Sequence, residues 1–135
     1  MTTTASIITR VDFVSVPTRD LEVAREFYGT VLGLPPSSVY QRGSEPPLGA
    51  EFETGNLTLS VVVAESVGIE FQSNKVPIAL HVDDIEAARA ELESRGVTFS
   101  ADTLDTGVCY MAFFQDPDGN ALMLHHRYAP RDGEA

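Results

Sequence analysis

An internal repeat constrains the fold of this chain more than any other feature. The segment DLEVAR at 20–25 returns as DIEAAR at 84–89, 64 residues further on. The segment GNLTLSVV, which begins at Gly55, returns as GNALMLHH from Gly119 at the same offset. Two matches at one offset, far apart in the chain, indicate a duplicated supersecondary module. We therefore expect a single domain built from two similar halves.

The two halves, about 10–64 and about 76–128, have the same predicted order of elements: strand, helix and three further strands. Alternating β-branched segments predict the strands, and apolar residues three and four positions apart predict the helices. Asp20 is expected to cap the first helix, and Asp83 with Glu86 to form a capping box on the second. The predicted strands are 10–16, 37–43, 49–55, 56–63, 77–82, 97–103, 107–115 and 120–128, and the predicted helices are 20–34 and 85–96.

This order of elements predicts the architecture. The first two strands of each module run parallel because a helix crosses over between them, and the remaining strands form a meander. The helix covers one face of the sheet and leaves the other face free. Two such sheets placed side by side would surround a shared hollow, which is a natural ligand site. The predicted fold class is α+β: tandem βαβββ modules forming a curved mixed sheet around a central cavity.

Composition limits the partners that this chain is expected to have. Twenty Asp and Glu against nine Lys and Arg give a net charge of −11, which argues against nucleic acid and anionic membranes. No segment approaches the roughly 20 apolar residues of a membrane span, and the first residues do not resemble a signal peptide. The single cysteine, Cys109, excludes an intrachain disulfide and a Cys-rich metal motif. We expect a cytoplasmic protein whose partner is a small molecule.

The repeated motifs resemble the vicinal oxygen chelate superfamily, which includes glyoxalases, extradiol dioxygenases, fosfomycin-resistance enzymes and bleomycin-resistance binding proteins. The resemblance is carried by RDLEVAREFYGTVLGL at 19–34, VDDIEAARAELESRGV at 82–97 and FQDPDGNALML at 114–124. These segments span nearly the whole chain. They are scaffold motifs, so the resemblance implies the fold and leaves the chemistry open. It also implies a homodimer, since relatives of this size often pair.

The resemblance further implies four positions that can hold a divalent metal ion, one on the first and one on the last strand of each module. In the superfamily, His commonly fills the first-strand positions and Glu the last-strand positions. The ion then acts as a Lewis acid toward a chelating substrate. In this chain the matching residues are Phe13, Leu59, Pro77 and Met123. None is a ligand for a hard divalent cation, so we expect no metal and no other cofactor, as in the metal-free branch.

The histidines are sorted by strand parity. His81 and His125 are expected to point into the cavity, whereas His126 points to the opposite face. We place Pro77 beside Met123 on the neighbouring strand. His81 then lies on a diagonal from His125, roughly 7–8 Å away between backbones. Three roles follow for the pair: hydrogen-bonding points in an apolar pocket, a general base, or a displaced two-His metal site.

The remaining candidate residues form an apolar and partly aromatic lining. We pair Phe114 with Ala121 across the DPDGN turn, which puts Tyr110 opposite His125. One residue of slippage would reverse the faces. The alternative for the aromatic residues is that they fill the core. With this register, the predicted ligand-binding residues are Phe13, Ser15, Phe52, Leu59, Val61, Pro77, Ala79, Ala112, Phe114 and Met123.

Three functions are compatible with these observations. The leading hypothesis is metal-independent binding of an apolar or aromatic small molecule, for sequestration or resistance, with acidity favouring a cationic ligand through long-range attraction. The second is a metal-free lyase, isomerase or cyclase in which His81, His125 or Tyr110 provides acid–base catalysis. The third is a metal-dependent glyoxalase-like or dioxygenase-like enzyme with displaced ligands.

Overall fold

The computed structural model describes residues 5–131 and contains two mixed four-stranded sheets. Sheet 1 has the strand order β1-β4-β3-β2, and sheet 2 has the order β5-β8-β7-β6. In each sheet the first and last strands are parallel and the other neighbours are antiparallel. The predicted α+β fold of two βαβββ modules is therefore confirmed. The elements are β1 (Phe13–Thr18), α1 (Leu21–Glu26), β2 (Pro36–Tyr40), β3 (Gly49–Glu53), β4 (Thr58–Val63), β5 (Ile78–His81), α2 (Ile85–Ser94), β6 (Leu104–Asp105), β7 (Cys109–Gln115) and β8 (Ala121–Arg127).

Both helices begin at an aspartate cap. The Asp20 carboxylate accepts hydrogen bonds from two backbone N–H groups of α1, as predicted, and the helix continues into a π-helical turn at Phe27–Val31. The capping box predicted from Asp83 and Glu86 is wrong. The N-cap of α2 is Asp84, whose carboxylate accepts a hydrogen bond from the backbone N–H three residues on. Neither α1 nor α2, nor any other helix within residues 5–131, has the length and apolar character of a membrane span.

The predicted strand 97–103 is wrong. The first meander strand of the second module lies further along the chain, at Leu104–Asp105, where it pairs with β7. The apolar alternation in 97–103 anchors a loop instead. The Phe99 ring is buried, lies 5.2 Å from the Phe114 ring and is covered by the Arg89 guanidinium at 4.7 Å.

The two modules share one hydrophobic core. In each sheet the face covered by its helix, here called the helix face, points into this core. Phe27 of the π-helical turn lies 6.5 Å from Phe114 of sheet 2, while the next residue, Tyr28, lies 6.0 Å from Phe52 of sheet 1. The core therefore fastens the modules together through α1. Its most deeply buried members are Val16, Ala24, Tyr28, Ala50, Phe52, Leu59, Val61, Ala112, Phe114 and Leu122.

Strand register decides which residues lie on the other face of each sheet, here called the open face. In sheet 1, Val14 pairs with Leu59 on the helix face, whereas Phe13 and Ser15 lie on the open face. In sheet 2, successive residues of β8 alternate between the helix face and the open face in the same way. The open face of sheet 1 carries Phe13, Ser15, Glu51, Thr58, Ser60 and Val62, and that of sheet 2 carries Ala79, His81, Met111, Phe113, Met123 and His125.

The predicted register across the DPDGN turn is wrong by one residue. The turn is closed by a backbone hydrogen bond from Asp116 to Asn120, so that Phe114 pairs with Leu122 rather than with Ala121. This single step reverses the faces of β7. As a result, Ala112 and Phe114, which were predicted to line the cavity, lie on the helix face of sheet 2. Three further residues with the same prediction, Phe52, Leu59 and Val61, lie on the helix face of sheet 1. All five are at most 2% exposed.

Candidate functional site

The DPDGN motif, residues 116–120, forms a buried network of hydrogen bonds between the modules, here called the DPDGN knot. The Asp116 carboxylate is 6% exposed and accepts a hydrogen bond of 2.6 Å from the Tyr28 hydroxyl. It also accepts from the Asn120 side chain and from the backbone N–H groups of Asp118 and Asn120. Burial, followed by the nearby Asp116 carboxylate, raises the pKa of Tyr28 far above its ordinary value. The phenol therefore remains a hydrogen-bond donor, and the motif serves the scaffold.

Asn120 extends this knot to two further segments. Its side-chain amide donates to the Pro17 carbonyl at the end of β1, at 2.8 Å. Its carbonyl oxygen accepts from the backbone N–H of Asn74, also at 2.8 Å. The side chain is fully buried, so one residue joins the first module, the connecting loop and the second module.

The register also corrects one of the positions implied for a metal ligand. Met123 lies opposite Ala79 on the open face of sheet 2. The equivalent residue of sheet 1, opposite Ser15, is Ser60 rather than Leu59. The sequence repeat misplaced this position because the turn before β4 and the turn before β8 differ by one residue. Ser60 is one site residue that sequence reasoning missed, and turn length was the signal available for finding it.

The donor set at these positions does not suit a divalent metal ion. The four residues are Phe13, Ser60, Pro77 and Met123, which offer one neutral hydroxyl and one thioether. A catalytic site normally supplies three protein ligands of the imidazole, thiolate or carboxylate type. Within residues 5–131, no group of three or more His, Cys, Asp and Glu side chains is arranged to hold a metal ion.

A recess with a volume of about 450 Å³ lies on the open face of sheet 1. Two aromatic side chains line it, and they remain unusually accessible: Phe13 is 54% exposed and Tyr40 is 46% exposed. Contiguous exposed apolar groups mark binding surfaces more often than isolated ones do. The full lining is Phe13, Ser15, Tyr40, Gln41, Arg42, Leu48, Ser60, Val62 and Val67.

Polar groups lie at defined points of this recess. Ser15 and Ser60 are cross-strand partners on its floor. The Tyr40 hydroxyl donates to Glu51 Oε2 at 3.0 Å, and this hydrogen bond raises the pKa of Tyr40 above its ordinary value. Tyr40 is therefore a neutral ring at physiological pH. The recess combines an aromatic surface with one basic residue, Arg42, in its lining.

The histidines occupy the open face of sheet 2. His81 and His125 are direct cross-strand partners, so the predicted diagonal arrangement is wrong. Burial, and then the neighbouring His81, lower the pKa of His125 below 6.5. His81 Nε2 lies 3.0 Å from Asp83 Oδ1. His126 lies on the helix face, with Nδ1 3.0 Å from the Val82 carbonyl oxygen.

Tyr110 does not join this pair of histidines. It pairs with His126 on the helix face, and its ring lies 4.9 Å from that of Tyr128. Since His81 and His125 point to the other side of the sheet, the predicted acid–base group of His81, His125 and Tyr110 is not assembled.

A second concavity, with a volume of about 330 Å³, lies between the two sheets. It contains Leu59, Ala79 and His81 together with apolar residues of both first strands, Val14 and Ile78. The structure thus separates the predicted residues into four groups. Phe13 and Ser15 line the recess, and Ala79 and His81 line this cleft. Met123 and His125 lie on the open face of sheet 2, and Pro77 directly precedes β5. The core residues are Phe52, Leu59, Val61, Ala112 and Phe114, of which Leu59 also borders the cleft.

Two βαβββ modules, each with an open face that carries candidate site residues, define a protein of the glyoxalase type. The family model for the Glyoxalase/Bleomycin resistance protein/Dioxygenase superfamily matches residues 10–124. The chain belongs to this superfamily, as the resemblance in its sequence implied. Among curated protein sequences, none matches this chain.

Solved structures show the same fold over almost the entire chain. A glyoxalase/bleomycin resistance protein/dioxygenase from Nocardioides has a TM-score of 0.74 and 24% identity, covering 98% of this chain and 92% of its own. TnmS3, an antibiotic binding protein from Streptomyces sp. CB03234, has a TM-score of 0.75 and 26% identity, covering 91% and 99%. A lactoylglutathione lyase from Agrobacterium tumefaciens has a TM-score of 0.70 and 16% identity, covering 89% and 95%.

Proposed function

We propose that this protein binds an aromatic or apolar small molecule, without a metal ion, in the recess on the open face of sheet 1. One observation carries the proposal. Phe13, at the first position implied for a metal ligand, presents a half-exposed ring to the recess beside Tyr40. The superfamily's ion-binding position is thus replaced by an apolar surface suited to stacking with a planar ligand.

The nature of one structural neighbour favours ligand binding over catalysis. TnmS3 is described as an antibiotic binding protein, and it is 26% identical to this chain over a match that covers 91% of this chain. We infer the same type of activity here, namely sequestration of a small molecule, which would confer resistance to that molecule. The cleft between the sheets is a subsidiary surface for such a ligand.

A metal-free lyase, isomerase or cyclase is the second candidate. It is supported by the cross-strand pairing of His81 and His125 and by the lowered pKa of His125. A neutral imidazole at physiological pH is able to accept a proton from a bound substrate. Turnover that is lost in His125→Gln, while ligand affinity is retained, would favour this candidate over the binding protein.

We also infer that the protein forms a homodimer. The open face of sheet 2 presents Met111, Phe113 and Met123, and the segment before β1 exposes Ile7 and Ile8. These apolar groups are suited to contact with a second copy of the chain. Light scattering after size-exclusion chromatography should give twice the mass of one chain, whereas the mass of a monomer at all concentrations would contradict this inference.

The binding proposal is tested with naphthalenemethanol, a neutral, fluorescent aromatic probe. The chain contains no tryptophan, so emission from the probe is readily distinguished from that of the protein. Phe13→Ala should weaken binding about tenfold, since truncating a central aromatic contact typically costs about 1–2 kcal/mol of binding free energy. The matched control is Val23→Ala, which shortens an exposed apolar side chain of α1. Equal affinity of the Phe13→Ala variant and the wild type would contradict the proposal.

A further inference from the structure

We propose that the ligand of the recess is an aromatic anion, such as a carboxylate or phenolate on a planar ring system, and that Arg42 binds its negative group. This inference rests on the proposed function of the recess. Among the nine lining residues, Arg42 carries the only ionised side chain. Within residues 5–131 its guanidinium has no carboxylate or hydrogen-bonding partner.

This lack of a partner distinguishes Arg42 from four other arginines, which form ion pairs with carboxylates. Arg19 contacts Asp118, and three helical arginines contact acidic residues on their own helices. In a chain with a net charge of −11, acidic partners are abundant. An arginine that lines a recess without one retains its full capacity to bind a planar anion through two parallel hydrogen bonds.

The carboxylates on the same face set the orientation of the ligand. Glu51 accepts a hydrogen bond from the Tyr40 hydroxyl, and Glu53 accepts from Ser37 and Thr58. Neither carboxylate lines the recess. Both, however, line a second concavity, which shares Phe13 with the recess. An aromatic ring over Phe13 would therefore be held with its anionic group directed away from Glu51 and Glu53, toward Arg42.

Local contact outweighs the overall charge of the protein in this assignment. The net negative charge attracts cations at long range, which is why the sequence favoured a cationic ligand. That attraction is screened beyond about 8 Å at physiological ionic strength. A charge-assisted hydrogen bond to a guanidinium acts at about 2.7–2.9 Å and is screened much less. The ligand class is therefore set by the side chain that it touches.

The test compares three probes that share one ring and one substitution position: naphthoate, naphthalenemethanol and naphthalenemethylammonium. Each is titrated against the wild type, Arg42→Gln and Lys75→Gln. The last variant is a matched control, because Lys75 is exposed, lies outside the recess and loses the same unit charge. Naphthoate should bind the wild type most tightly. Arg42→Gln should weaken naphthoate binding about fivefold to tenfold, as expected for a partly exposed charge-assisted contact, and should change naphthalenemethanol binding less than about twofold.

Each outcome supports or overturns the inference. Loss of naphthoate affinity in Arg42→Gln but not in Lys75→Gln supports it. Tighter binding of the neutral or cationic probe, or unchanged naphthoate affinity in Arg42→Gln, overturns it. If naphthalenemethanol still binds and remains sensitive to Phe13→Ala, only the charge assignment fails and the proposed function stands. Binding of none of the three probes overturns both.

Discussion

Asn120→Ala should destabilise the protein far more than the same change at Asn56, its counterpart in the sequence repeat. The two residues follow Gly119 and Gly55 at the same offset, yet their surroundings differ. Asn120 is fully buried and makes contacts to three separate segments. Asn56 is exposed, and its side chain bonds only residues within two positions of it.

The magnitude follows from the groups that lose a partner. Removing the Asn120 amide leaves the Pro17 carbonyl, the Asp116 carboxylate and the Asn74 N–H each without one hydrogen bond of 2.8 Å. An unsatisfied buried polar group costs about 1–3 kcal/mol. Because water is able to enter the space and relieve part of this cost, we expect a loss of about 3–5 kcal/mol. Asn56→Ala should cost less than about 1 kcal/mol.

Urea unfolding followed by far-ultraviolet circular dichroism measures the difference. With a slope of about 2 kcal/mol per molar urea, typical of small domains, the midpoint of Asn120→Ala should fall by about 1.5–2.5 M. The midpoint of Asn56→Ala should fall by less than about 0.5 M. Free energies of unfolding that agree within about 1 kcal/mol for the two variants would refute the claim that the DPDGN knot joins the modules.

Three further predictions concern buried or titrating groups. Tyr28→Phe should lower the free energy of unfolding by about 1.5–3 kcal/mol, because it removes a hydrogen bond to a buried carboxylate while keeping the ring; an unchanged melting temperature would contradict this. The pKa of His125, measured by NMR titration, should lie below 6.5 because of burial and then His81, and should move up toward 6.5 in His81→Gln. As the pH falls, the imidazole of His125 binds a proton in the unfolded chain before it does so in the folded chain. The contribution of His125 to stability should therefore be complete above about pH 6.5 and decline as the pH falls toward the folded pKa. The pKa of Tyr128 is raised to about 12, chiefly by its hydrogen bond to Asp105, so Asp105→Asn should shift the phenolate titration back toward 10.

The sequence was sufficient to predict the order of elements, since strand and helix periodicity and the repeat depend on local pattern. It was insufficient for the cross-strand register, which depends on how a turn closes. The Asp116 to Asn120 hydrogen bond lengthens the DPDGN turn by one residue relative to the predicted pairing. That step moved Ala112 and Phe114 from the predicted cavity to the core. Hydrophobicity alone does not distinguish these two fates.

The candidate site was only partly predictable for a different reason. Phe13 and Ser15 lie on a regular strand, so their alternation indicated an open face. Arg42, by contrast, lies in the loop after β2, and Val67 lies at the end of a short 3-10 helix (Ala64–Val67) after β4. Their approach to the recess is set by tertiary packing, and no periodic pattern in the sequence indicates it. The charged contact of the site was therefore visible only in three dimensions.

Binding of naphthalenemethanol with and without metal ions tests the central claim most directly. Wild-type protein is treated with a chelator and then titrated alone or after addition of zinc, nickel or manganese. We expect affinities equal within about twofold under all conditions, with Phe13→Ala about tenfold weaker in each. Loss of binding in the chelated protein, restored by one equivalent of a divalent ion, would contradict that claim.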